Sequence, residues 1–259
     1  MVASRDVIRQ GVNIVAFMAA IVVNALATLL PINGQTTGEL ADRYPVWIQP
    51  AGYAFSIWTV IYIALAAFTI FQSLPPQREN PRLRRIGYLF ALTCLANVAW
   101  ILLWHYELVP LSLVVMVALL ATLIAIYRRL DPLREHLPVL ERWVIALPFS
   151  LYLGWITVAS LVNVAVVVYD QNLAAWDASP AAWSLALLAL AAVATAVVSF
   201  FRADIAFALV IIWASIAIMA NNDERPVVLT GAVMLALLAL VTVAAGISRA
   251  RDLGRHIAP

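Results

Sequence analysis

The side chains with chemistry to offer in this sequence are aromatics and amides at helical spacing. Trp58 and Tyr62 lie four residues apart and share one face of a helix. Asn97 and Trp100 are three apart, and Tyr152, Trp155, Ala159 and Asn163 follow one another at intervals of three and four. Such a set can stack on a flat hydrophobic molecule through its ring faces, while the amides hold a polar edge. A proline-pinned stretch, PVWIQPAGY from Pro45 to Tyr53, carries Trp47 and Tyr53 and leads into the helix of Trp58.

Signals for bond-making chemistry are missing, which argues against an enzyme. His105, His136 and His256 fall in loops or the tail with no second ligand at metal spacing. No nucleophile and base pair, Gly-rich phosphate loop or haem-attachment cysteine occurs. No acidic or basic residue is expected deep in an apolar run, so an ion-coupled pump has no evident machinery. His105 beside Glu107 could in principle act as a ligand or an acid–base pair, but it reads as a solvated loop histidine. Cys94 is the single cysteine and lies within an apolar run as a small buried hydrophobe. No cofactor is required and no metal is expected.

The elements that must position these residues follow from composition. Of 259 residues, 64% are hydrophobic and 12% charged, too little polar surface to cover a soluble globule of that size. Apolar runs of about 20 residues match a ~30 Å hydrocarbon core crossed at ~1.5 Å per residue. The fold class is therefore all-α, a polytopic membrane bundle of about eight transmembrane helices. The expected spans are about residues 11–30, 50–74, 86–106, 110–127, 143–169, 182–201, 204–220 and 226–248. Ala25-Leu26-Ala27 resembles a signal-peptide cleavage site, but the run before it is longer than an h-region, so it reads as a retained span.

All sixteen basic residues are arginine, and eight spans put fourteen of them on one side, with only Arg43 and Arg225 on the other. That asymmetry orients both termini toward the cytoplasm. The arginines read as a topology signal, which argues against a nucleic-acid partner. With that orientation Trp58, Tyr62, Asn97, Trp100, Trp155 and Asn163, together with Asn24 and Thr28, fall in the middle or outer half of the bilayer, beneath the first loop. Trp47, Trp104, Trp143, Trp176 and Trp183 fall near interfaces, where an aromatic belt explains them. Asn97 and Asn163 read first as interhelical glue, and Gly154, Ala159 and Ser160 as close-packing residues.

These motifs resemble those of the TspO/MBR family, the tryptophan-rich sensory proteins that include the mitochondrial translocator protein. The segment opening the second helix matches at Pro50, Gly52, Phe55, Trp58, Thr59 and Tyr62, with Ala51 and Tyr53 standing where the family has proline and tryptophan. The third helix matches at Asn97 and Trp100, and the fifth at Tyr152, Trp155, Ala159 and Asn163. The resemblance covers roughly residues 10–170 and implies a five-helix unit, residues 1–170, with a pocket under the first loop that binds tetrapyrroles such as protoporphyrin IX or haem. Residues 171–259 then add three helices and a basic tail, which have no counterpart in the five-helix family and could cover its dimerisation face.

The function expected on this basis is an integral membrane ligand-binding or sensory protein. Its site would be Trp47, Tyr53, Trp58, Tyr62, Asn97, Trp100, Tyr152, Trp155, Ala159 and Asn163. The alternative is a transporter of a lipid, isoprenoid or porphyrin without ion coupling. Expected partners are membrane lipids, a small hydrophobic ligand and, as an option, a second copy of the chain. The expected location is a bacterial inner (plasma) membrane.

Overall fold

A computed structural model describes residues 2–30, 32–130, 137–173, 179–202 and 204–255. Among them there are helices and turns and no strand. The arrangement follows from the apolar runs, because a backbone in hydrocarbon must satisfy its own hydrogen bonds. Among the described residues, and leaving aside the three-residue helix Val139–Glu141, ten α-helices carry it: α1 (Val2–Leu29), α2 (Thr37–Ala41), α3 (Ile57–Ser73), α4 (Pro81–Ile86), α5 (Leu89–His105), α6 (Val109–Leu130), α7 (Leu147–Asp170), α8 (Pro180–Arg202), α9 (Ile205–Ala220) and α10 (Pro226–Arg255). The expectations that rested on His136, His256 and Trp176 lie outside the described residues.

Eight of these helices are long and apolar, in the order expected. Six apolar helical stretches are 19 residues or longer, whereas α5 and α9 have 17 and 16 residues. At ~1.5 Å per residue those two reach ~25 Å, a few ångströms short of a ~30 Å core. Many large apolar side chains face outward, Val15, Ile63, Val114 and Val241 among them. A water-soluble chain would bury such a surface, and in a bilayer it is the lipid-facing one.

Contacts divide the chain into two compact units, and the division differs from the one at residue 170. The first comprises residues 1–44 and 55–156, and the second residues 45–54 and 157–259. The first ten residues of α7 thus belong to one unit and the remainder to the other. The segment 45–54 groups with the C-terminal helices, not with the helix it leads into.

In the first unit α1 packs on α3 and α5, and α5 packs on α6. The tight turn joining α5 to α6 holds Glu107 at a left-handed φ of 55°. The core is centred on Phe68, Phe90 and Phe149, whose rings meet edge to face at 4.8 to 6.0 Å, with Phe17 6.1 Å from Phe90. Asn80 caps α4, its side chain accepting from the amides of Arg82 and Leu83 with Pro81 at the first helical position. α4 ends at Gly87 with φ 61°, a conformation natural to glycine.

The end of this unit that holds the N-terminal turns of α1 contains a buried polar cluster, which the sequence reading did not anticipate. Asp6, Arg9, Gln10, Asn13 and Gln72 are all buried. Arg84 grips the Asp6 carboxylate through Nε and Nη2, the latter at 2.6 Å, and Arg9 approaches it at 3.4 Å. Gln10 donates to the Gln72 carbonyl at 2.6 Å, and Asn13 to the Gly87 carbonyl at 3.2 Å. Arg5 and Arg9 therefore do not precede the first helix; they lie within it, and Arg9 is a structural cation. Nearby, Arg82 and Asn80 both donate to Glu141, at 2.7 and 2.9 Å.

In the second unit α10 packs on α8 and α9. Gly231 is the close-approach point: a Cβ there would lie 2.8 Å from Cδ1 of Leu188. This is the small-residue contact by which helices in lipid come near one another.

Candidate functional site

The aromatic and amide residues of the first unit meet in one cluster, built from α1, α3, α5 and α7. On α3 the one-turn spacing stacks Trp58 on Tyr62, with ring centroids 5.3 Å apart and planes 18° from parallel. The two bulky residues on α7 close the other side. Tyr152 points its edge at Trp58 at 5.7 Å, and Trp155 does so at 6.4 Å. Phe55, from the turn preceding α3, meets Trp155 edge to face at 5.9 Å. Tyr152 and Trp155 are buried, while Trp58 and Tyr62 are half-buried and keep part of their surface open.

The polar side of the cluster centres on Asn97 of α5. Its Oδ1 accepts from the Tyr62 hydroxyl at 3.2 Å and from Asn24 Nδ2 of α1 at 2.7 Å. Asn24 also donates back to the Ala20 carbonyl at 2.8 Å. Asn97 is 1% exposed, and its Nδ2 has no hydrogen-bond partner. An unpaired buried N–H donor is costly and will donate to any carbonyl, carboxylate or ring-nitrogen lone pair brought to it. The cluster thus combines flat ring faces with one open donor.

Trp100, one turn beyond Asn97, is buried and stacks on Trp104 at 5.7 Å, and Tyr44 packs against Trp104 at the same distance. Trp104 was expected in an interfacial belt. It is instead buried, with its indole N–H directed at the Thr37 carbonyl 3.4 Å away. His105 is likewise not a solvated loop residue. It ends α5 at 2% exposure, with Nδ1 donating to the Ile101 carbonyl at 2.8 Å and Nε2 facing the Thr37 hydroxyl at 3.5 Å. Asn33 donates to the His105 carbonyl. Trp104 and His105 therefore fasten the 32–44 segment to the end of α5. With both ring nitrogens engaged, His105 offers no free axial ligand.

Two charged groups of the first unit have shifted titrations outside the spans. Hydrogen bonds from the Thr36 backbone and hydroxyl hold the Glu39 carboxyl below the usual range, in a capping box at the start of α2. The Asp6 hydrogen bond pushes the Arg84 guanidinium up.

Four of the expected site residues fall in the second unit: Trp47, Tyr53, Ala159 and Asn163. Asn163 is buried and Ala159 half-buried. The Arg225 guanidinium lies over the Trp47 ring, 5.1 Å from its centroid, and Tyr53 meets Trp213 edge to face at 5.3 Å. Trp143 is 63% exposed, as a belt residue should be. Among the described residues, no group of three or more His, Cys, Asp or Glu is placed to hold a metal ion.

The family model described as TSPO-like protein matches residues 10–245. This chain belongs to that family. The match covers the aromatic cluster and extends through α8 and α9 into α10, so the C-terminal helices, which lacked a counterpart in the five-helix resemblance, lie inside the region that defines this TSPO-like protein. Neither the curated proteins nor the solved structures contain a match to it. Membership of this family and the apolar helices together make it a membrane protein of the ligand-binding, sensory kind. What the sequence reading underweighted is Asn24, taken as a neighbour of the site but in fact hydrogen-bonded to Asn97, and Phe55, whose only signal was its place in the motif.

Proposed function

We propose that this TSPO-like protein is a membrane receptor for a flat, largely apolar ligand with a polar edge, of the tetrapyrrole class. The observation that carries the reading is the pairing of half-open stacked rings, Trp58 and Tyr62, with the unpartnered Nδ2 of buried Asn97. Ring faces favour a planar conjugated partner. The single donor favours an acceptor on that partner's rim, a propionate carboxylate or carbonyl, and a buried hydrogen bond of this kind discriminates strongly against analogues lacking the acceptor. Tyr152 and Trp155, held edge-on, keep the stacked pair in place. The arginine asymmetry supports a plasma-membrane location with the cluster toward the exoplasmic side.

The test is quenching of intrinsic tryptophan fluorescence by protoporphyrin IX in the purified protein and in Trp58→Phe and Trp155→Phe. Saturable quenching that weakens in both variants supports the reading. Saturable quenching that is unchanged in both removes this cluster as the site, and no saturable quenching of the parent removes tetrapyrroles as the ligand class.

A further inference from the structure

The second unit treats the segment 45–54 in a way that assigns work to the C-terminal helices. Six hydrogen-bonding and ring contacts tie this short stretch to the last two turns of α9 and the turn that follows. The amide of Ala51 donates to the carbonyl of Ala217 at 2.9 Å, one of the last carbonyls of α9. That carbonyl also accepts from the Asn221 amide at 3.2 Å, so it serves both the end of its own helix and the loop segment. Asn221 and Asn222 both donate to the Gln49 carbonyl, at 3.1 and 3.3 Å. The Trp213 indole N–H donates to the Ala54 carbonyl at 3.2 Å, and its ring receives Tyr53 edge-on. Arg225 lies over Trp47 and donates to Asn222 Oδ1, so one guanidinium holds both the ring and the amide that grips Gln49.

Loops at the surface of a bundle are ordinarily its most mobile parts, because few contacts hold their backbone. Here the residues numbered 47, 49, 51, 53 and 54 each have a named anchor more than 150 positions away in sequence. The Gln49 side chain is also 3% exposed with neither amide atom partnered, a placement a free loop would relax from. We propose that α9 and the turn leading into α10 form a built-in clamp that fixes the 45–54 segment, with Trp213, Asn221, Asn222 and Arg225 as its positioning residues. The segment is then a preset part of the molecule, not a mobile lid, and whatever ligand the protein takes must bind with that segment already ordered. A segment already ordered has no loop entropy left to lose when a ligand binds.

The experiment is hydrogen–deuterium exchange on the full chain in lipid nanodiscs, comparing the parent with the double variant Asn221→Ala/Arg225→Gln and with Trp213→Phe. Both side chains of the double variant are at least partly exposed, and phenylalanine keeps a ring at 213 while removing its N–H. The clamp predicts that amides of 45–54 exchange about tenfold faster in either variant, while α3 and α10 keep parent rates. A change of less than about twofold across 45–54 in both variants overturns it, as does a uniform rise along the chain, which would mark general loosening. No ligand is used, so the outcome stands whether or not a porphyrin binds.

Discussion

Both units spend side-chain donors on backbone carbonyls, as Gln10, Asn13 and Asn33 do in the first, but the first adds networks of another kind. In the first, Asn24, Tyr62 and Asn97, and separately Asp6, Arg9 and Arg84, bond side chain to side chain across different helices. In the second, Asn221, Asn222 and Trp213 spend their donors on the backbone of one loop segment. Side-chain networks leave donors and acceptors that a ligand can compete for, as at Asn97, whereas bonds to backbone carbonyls fix the course of the chain. In the first unit the network leaves one donor open at Asn97, whereas in the second the bonds fix one loop segment.

The sharpest way to break this comparison is Asp6→Ala. It leaves the buried Arg9 without its counter-charge and should cost about 3–5 kcal/mol of stability, read as a lowered unfolding midpoint in detergent. A midpoint unchanged from the parent would show that the cluster is not the clasp of the first unit. Gly231→Val tests the second unit alone: a side chain forced against Leu188 should cost about 1–3 kcal/mol, while tryptophan quenching by a ligand at Trp58 stays as in the parent. Loss of that quenching would mean the site depends on the packing of α10 against α8.

Asn97→Leu should separate the two uses of one residue. The lost helix contacts are worth on the order of 1 kcal/mol, but an acceptor-bearing porphyrin should bind at least about tenfold more weakly, with a porphyrin lacking carboxylates little affected. Equal weakening of both would make Asn97 a packing residue only. Glu107→Gln removes the ion pair with Arg43, whose partners are each nearly half exposed, and should change stability by less than about 1 kcal/mol.

The smallest effect is expected at Glu39. Its carboxyl titrates below its usual value, so the capping box contributes fully above the unfolded value near ~4.3 and is lost as pH falls through the lower folded one. Amides of residues 36–41 should exchange faster below that window once the intrinsic rate is corrected for. Thr36→Ala should show the faster exchange already at neutral pH.

How much of this could be read beforehand depended on the kind of contact. Trp58, Tyr62, Tyr152 and Trp155 were legible because their spacing equals one helical turn, and a turn is local. Asn24 with Asn97 was half legible: both amides stood out against apolar neighbours, yet nothing local said that they bond each other. Arg9 and Arg84 read only as topology signals and Asp6 gave no signal, because each is ordinary beside its neighbours in sequence, and only the approach of α1 to α4 pairs them. Trp104 and His105 looked interfacial from their position at a helix end. The folding back of residues 32–44 buried them.

Composition and period were enough to establish helices, a bilayer and the order of the eight apolar segments, because water and hydrocarbon act on each run independently. The family's motifs were visible for the same reason, being short and carried on single helices. Only the tertiary structure decided that residues 45–54 group with α9 and α10, and that a cation at the start of α1 is buried. Both rest on hydrogen bonds and charge pairs between residues far apart in the chain, and the free energy of such contacts exists only once the helices have been brought side by side.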